Sequence, residues 1–229
     1  MRPKPLPEKA VLLGTSLVVA DLHVGYEMAM IEEGFSLPRR TEEIIASLRR
    51  LGEGYSVSTL IVAGDLKHSF QPLKNERREL NFFIGEIKEI FGEIILVRGN
   101  HDVGVSWLKS LGVEIVDEIE TDGWKIVHGH KPAEGRRLIL GHEHPTLTLT
   151  DEVGARLKVP AFLIGRRTVV LPAFNPWASG NDVLQGFISP VLREREEKLE
   201  MWVPAEGELL NFGSHSKLRS VLKALKGGE

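Results

Sequence analysis

Aspartate, asparagine and histidine can hold a divalent cation without help from thiolates, and here they recur in short blocks. In chain order the blocks are Asp21-Leu22-His23, Gly64-Asp65, Gly99-Asn100-His101-Asp102, His128-Gly129-His130 and Gly141-His142-Glu143-His144. Of the 8 histidines only His215 lies away from them, with His68 following Gly64-Asp65 closely. A lone histidine is more often structural than functional. Histidines that repeatedly follow apolar runs beside carboxylates imply a shared task. With 0 cysteines, disulfides, thiolate metal sites and a cysteine nucleophile are excluded. Carboxylate, imidazole and amide ligands suit manganese first, with iron, zinc, nickel, cobalt or magnesium as alternatives. Two such cations about 3.5–4 Å apart are best joined by a carboxylate that offers an oxygen to each. Asp65 is the candidate bridge.

Each block follows an apolar run: Leu17 to Ala20, Leu60 to Ala63, Ile94 to Val97, Lys125 to Val127 and Leu138 to Leu140. Short, largely β-branched runs bounded by glycine predict buried strands. Between them, Pro38 to Leu51 places Ile44, Ile45, Leu48 and Leu51 on one helical face. Asn75 to Phe91 does the same with Leu80, Phe83, Ile84, Ile87 and Phe91. Beyond Gly141 the pattern turns to strands at Val159 to Ile164, Thr168 to Leu171, Leu184 to Ile188 and Leu199 to Val203, with a closing helix over Ser216 to Leu225. The expected fold is α/β, a four-layer α/β/β/α sandwich of two packed mixed sheets with flanking helices, in a single domain over residues 1–229. Ligands of open α/β sheets bind beyond the carboxyl ends of strands, so all five blocks should meet on one rim. Asp21 and His23 alternate along a strand, and both can reach one metal only if the strand ends or bends there.

In order and spacing the blocks resemble the calcineurin-like metallophosphoesterase superfamily, whose pattern runs D-x-H, G-D-x-x-D, G-N-H-[DE], H, G-H-x-H. The resemblance implies a first metal on Asp21, His23, Asp65 and His144. It implies a second that shares Asp65 and adds Asn100, His128 and His142. His101 would face the substrate phosphate as general acid or charge stabiliser, with Asn100 and His68 as further substrate contacts. A hydroxide between the metals would attack phosphorus in line. His68 departs from the pattern, standing where the family has an aspartate that supports the catalytic histidine. His101 then needs another partner, and His68 reads either as a substrate contact or as a surface residue. His128 and His130 compete for one ligand position, with His128 favoured because it comes directly off its strand. The segment Leu171 to Asp182, taken with Gly64 to His68, is similar to the small phosphoesterases associated with DNA ligase and their archaeal relatives. Asn175, Trp177 and Asn181 there could line a substrate pocket, or Phe174 and Trp177 could simply be core.

The chain has 229 residues, 42% hydrophobic and 27% charged, which is ordinary for a globular fold. No run nears the roughly 18 apolar residues of a membrane span, and the first ten residues do not read as a signal peptide, so a cytoplasmic enzyme is expected. The formal net charge of -3 is not that of a simple electrostatic nucleic-acid binder, and basic pairs such as Arg39-Arg40 read as solvated surface. Nucleic acid and a homodimer stay open as partners. A phosphate ester is the expected substrate, a diester before a monoester, with a metal-binding scaffold as the non-enzymatic alternative.

Overall fold

The computed structural model describes residues 1–71, 74–150 and 153–226, with side chains given up to residue 221. The first sheet has six strands in sequence order: β1 (Lys4–Leu6), β2 (Ala10–Leu13), β3 (Ser16–Val19), β4 (Thr59–Val62), β5 (Glu93–Val97) and β6 (Val113–Val116). β1 to β3 form an antiparallel meander, and β3 to β6 run parallel. Helices α1 (Tyr26–Glu32), α2 (Thr41–Tyr55) and α3 (Lys74–Lys88) lie in the connections. The remaining strands are β7 (Ile119–Thr121), β8 (Trp124–Val127), β9 (Leu138–Leu140), β10 (Pro145–Thr150), β11 (Arg156–Pro160), β12 (Phe162–Ile164), β13 (Thr168–Val170), β14 (Asn181–Asp182), β15 (Glu200–Ala205) and β16 (Glu208–Ser214). Seven of these form the second sheet in the order β16-β15-β12-β13-β9-β8-β7, and β11-β10-β14 form a small third one. Helices α4 (Pro190–Glu194) and α5 (His215–Lys226) belong to this half.

Strand alternation creates the layers. In β3 to β5 and the residues just after them, Leu17, Val19, Leu60, Val62, Ile94 and Leu96 pack with Ile44, Leu48, Phe83 and Ile87 of the helices. Their neighbours Val18, Ala20, Ile61, Ala63, Ile95 and Val97 face Trp124, Ile126, Ile139, Phe162 and Val169 of the second sheet. On that sheet's far side, Leu138, Leu140, Leu163 and Val170 pack with Val191, Leu192 and Leu218. Three apolar cores therefore separate four layers, the α/β/β/α sandwich expected from the sequence.

Two expected elements differ. Leu184 to Ile188 is not a strand: Gln185 N–H donates to Asp182 O at 2.9 Å, and Ile188 N–H donates to the Glu143 carboxylate at 3.1 Å, so neither joins a ladder. The single run Val159 to Ile164 breaks at Ala161, whose N–H donates to Pro145 O at 2.8 Å, and its two parts join different sheets. β1, β2, β6, β7, β10, β14 and β16 add strands that the apolar pattern did not mark.

Candidate metal centre

β3, β4, β5, β8 and β9 all run towards one rim, and each expected block begins within a few residues of its strand end. β3 stops at Val19, so Asp21 and His23 lie beyond the pleat. Their N–H groups donate to Gly64 O at 3.0 Å and Asp65 O at 2.9 Å, tying the first loop to the second. Asp21, His23, Asp65, His142 and His144 all have positive φ, between 40 and 63°. Non-glycine residues avoid this left-handed region at a cost of ~1–2 kcal/mol each. Five such residues converging on one rim mark a site where surrounding contacts override local preference. Two glycines permit the approach. A Cβ on Gly64 would lie 2.1 Å from His128 Nδ1, and one on Gly99 would lie 2.1 Å from Asp65 Oδ1.

Three groups of side chains result: His23, His68 and His101 form one at the mouth, and the other two meet at Asp65. Asp21, His23, Asp65 and His144 place one ligand atom each within 4.8 Å of one another, and Asp65, His128 and His142 do the same. Asp65 belongs to both. His144 Nε2 lies 3.1 Å from Asp21 Oδ1 and 3.5 Å from His23 Nε2. His128 Nε2 lies 3.3 Å from Asp65 Oδ2 and 3.1 Å from Asn100 Oδ1. In each of these histidines Nδ1 faces a backbone carbonyl, Ala63 O at 2.9 Å for His128 and Ser179 O at 3.2 Å for His144. That contact makes Nδ1 the protonated nitrogen of the neutral ring and leaves the Nε2 lone pair facing other acceptors. In the neutral rings these lone pairs converge on carboxylate and amide oxygens, and the donor set fits divalent metal.

The electrostatics agree with that fit. Asp21 and Asp65 are buried, and among the described residues no lysine or arginine lies within ion-pair distance of either. Burial lowers the His23 pKa to about 3 and that of His142 to about 4, leaving both neutral and able to ligate. Burial also opposes charge on His128, but the Asp65 hydrogen bond and the Asp21 and Asp65 carboxylates outweigh it and raise His128 to about 9, so a metal bound there would displace a proton that otherwise balances the two carboxylates. The reciprocal effect, against the opposing pull of burial, holds Asp65 well below the usual carboxylate range.

His101 stands at the mouth, half-buried, with its N–H donating to Asp65 Oδ1 at 2.9 Å and its Nε2 3.9 Å from Asp65 Oδ2. Its Nδ1 bonds the backbone carbonyl of His68, which supplies the support that an aspartate side chain was expected to give. The His68 ring sits beside His23, Nδ1 to Nδ1 3.4 Å, and its pKa is lowered to about 4 by burial and by His101. His68 thus faces the cluster rather than open surface. His130 stays outside all three groups, its ring 5.2 Å from that of His128.

Several supporting residues had no assigned role in the sequence. The buried Asp102 carboxylate accepts from the N–H groups of Asp65 at 2.9 Å, Leu66 at 3.0 Å and Gly99 at 2.8 Å, knitting two site loops together. Burial and the nearby Asp65 charge raise its pKa to about 6. Glu76 accepts from the N–H groups of His68 at 3.1 Å and Ser69 at 2.6 Å. Glu143 accepts from Ser189 N–H at 2.8 Å and from Asn181 Nδ2 at 2.6 Å. The signal for Glu76 was an acid within the apolar stripe of a helix. Asn175, expected to line a pocket, contributes to the wall of one beside His144 and, largely buried, also donates Nδ2 to Leu22 O at 2.9 Å and His23 O at 3.2 Å, holding the first loop. Phe174 is core, whereas Trp177 is half-buried with Nε1 donating to Pro38 O at 3.2 Å. No helix among the described residues is long and apolar enough to cross a membrane.

Comparison with known proteins agrees with this geometry. The solved structure of the Pseudomonas putida nuclease MPE is similar with a TM-score of 0.68 at 24% identity, over 92% of this chain and 99% of that one. At that identity the likeness speaks to the fold. An archaeal phosphodiesterase matches at 18% identity and a TM-score of 0.38, over 86% of this chain and 97% of that one. A search of curated protein sequences returns no match. The family described as calcineurin-like phosphoesterase matches residues 14–157, which span every block of the candidate centre. The chain belongs to the calcineurin-like phosphoesterase family and is a metallophosphoesterase, a hydrolase of phosphate esters.

Proposed function

We propose that the chain hydrolyses a phosphodiester at a centre of two divalent cations, manganese first. Asp21, His23, Asp65 and His144 would hold one cation, and Asp65, Asn100, His128 and His142 the other. The carrying observation is that two ligand groups share the single buried carboxylate of Asp65. Bound there, the cations supply Lewis acidity towards the phosphoryl oxygens and a water made nucleophilic near neutral pH for in-line attack. Asp65 and Asn100 orient the floor of the site, and Asp102 keeps the Asp65 loop fixed through its N–H bonds. His101 is the catalytic residue beside the phosphate. With Nδ1 turned to the His68 carbonyl, its Nε2 is left to hold a proton for the departing oxygen and to offset developing charge. The His68 ring, packed beside His101, provides a further substrate contact. A nucleic acid or cyclic nucleotide is the diester we favour, and a nuclease of the same fold is compatible with it.

Exhaustive chelation should abolish hydrolysis of a model diester, and Mn²⁺ should restore it with faster turnover than on a model monoester. Activity that persists in metal-free protein, or a clear monoester preference, opposes this reading.

A further inference from the structure

Next to the candidate centre the surface opens into a groove of about 380 Å³, whose walls include Lys9, Thr146, Lys158, Trp177 and Gly180. It shares His144 and Ser179 with the pocket over Asp65, Asn100, His101 and His142, so the two adjoin. Two cationic side chains line this groove, and among the described residues no carboxylate does. Lys9 Nζ donates to Phe174 O at 2.6 Å, and Lys158 Nζ donates to the carbonyl of Gly180. Both ammonium groups therefore meet neutral carbonyls, and neither is within ion-pair distance of a carboxylate among the described residues. Glu43 is the acid that acts on Lys9, and it is itself paired with Arg40.

The backbone at Lys9 adds a second observation. This residue closes the turn between β1 and β2 with its N–H donating to Leu6 O at 3.1 Å, in a left-handed conformation, φ 63°. A glycine would make that turn without strain, yet a lysine occupies it and reaches across to the 171–182 loop. Burial of the ammonium outweighs the attraction of Glu43, which is outside ion-pair distance, and lowers the Lys9 pKa to about 8. A ligand anion would relieve that imbalance. Trp177 forms a flat wall, fixed by its Nε1 bond to Pro38 O and by the Arg40 guanidinium 5.3 Å from its ring centroid. A cationic groove with an aromatic wall is the chemistry that follows a single-stranded nucleic acid.

We infer that this groove is a specificity subsite for the substrate arm on the His144 side, taking the neighbouring phosphate of an oligonucleotide strand at Lys9 and Lys158, with the attached base against Trp177. The inference rests on the phosphodiesterase reading above. It narrows the substrate from any small diester to one that carries a second phosphate next to the scissile one.

The test compares Mn²⁺-loaded wild type with Lys158→Gln and with the Lys9→Gln/Lys158→Gln double variant, on tetrathymidylate and on bis(4-nitrophenyl) phosphate. Lys158 is exposed, so its single variant keeps the test alive if the Lys9 change impairs folding. For the double variant, KM on tetrathymidylate should rise roughly tenfold with kcat within about twofold, and its salt dependence should fall by about 0.7 in log–log slope, the share of one phosphate. KM on the small diester should change by less than a fifth of that factor. Lysine-to-arginine variants should restore tetrathymidylate binding. Equal changes on both substrates, or none on either, overturn the assignment. If wild type cleaves neither substrate, the proposed function fails separately. Anisotropy of a fluorescent tetrathymidylate in chelator then decides the groove: roughly tenfold weaker binding by the double variant supports it, and equal binding overturns it.

Discussion

The two halves of the candidate centre are built from different chemistry. Asp21, His23, Asp65 and His144 combine two carboxylates with two imidazoles, whereas Asp65, His128 and His142 have one carboxylate, and it is shared. The second half adds Asn100 Oδ1, a neutral oxygen 3.1 Å from His128 Nε2. Both halves draw on both sheets: Asp21, His23, Asp65 and Asn100 follow strands of the first, and His128, His142 and His144 follow strands of the second. One half is rich in negative charge and the other is built mainly of neutral donors. The contrast teaches that the halves need not bind alike: the first should hold its cation more tightly, because each carboxylate adds Coulomb attraction that imidazole and amide lack.

Asp65→Asn should break the comparison entirely, because it removes the group common to both halves. Metal analysis should find both ions depleted, with turnover down by ~10³-fold or more, since even one preorganised transition-state contact is worth ~10²–10³. Two ions still bound per chain would remove Asp65 from its bridging role. Next in size, His142→Ala should empty the second half while one ion stays on the first, and His23→Ala should weaken the first half. Calorimetric Mn²⁺ titration separates these outcomes, and identical isotherms for the two variants would erase the distinction. A smaller loss is expected from His101→Ala, which leaves both ions in place and slows turnover by ~10²-fold; unchanged turnover would take His101 out of the mechanism.

The smallest effect lies outside both halves and reads on stability alone. Lys9 releases its proton near pH 8 in the fold and near 10.5 once exposed. Between those values the unfolded chain binds more protons, so stability should climb with pH, by up to about 3 kcal/mol in full. Denaturant titrations of wild type and Lys9→Met across pH 7 to 10 measure the climb, which the methionine variant should lack.

Much of the centre was legible because chemistry restricts its residue types. Asp21, His23, Asp65, Asn100, His128, His142 and His144 follow apolar runs that could hardly be anything but strands, and the structure gathers them on one rim. The layers were legible for a similar reason, since alternation in β3 to β5 sends successive residues to two different cores. What escaped depends on backbone groups, which leave no mark in a sequence. The His68 carbonyl that supports His101 could belong to any residue, so the missing aspartate looked like a gap in the site. Asn175 reads as a pocket residue, but its bonds to the carbonyls of Leu22 and His23 require the folded chain and left no mark. Leu184 to Ile188 has strand composition, but Glu143 draws Ile188 and Ser189 N–H away from any ladder. β1 was obscured by Pro3, Pro5 and Pro7, which an edge strand tolerates and a central one does not.

Counting Mn²⁺ per chain, together with electron paramagnetic resonance of the loaded wild-type protein, tests the shared carboxylate most directly. Two ions per chain with an exchange-coupled pair signal are expected, because a carboxylate common to both would hold them about 3.5–4 Å apart. A single ion, or two ions with uncoupled spectra, would contradict a centre built around Asp65.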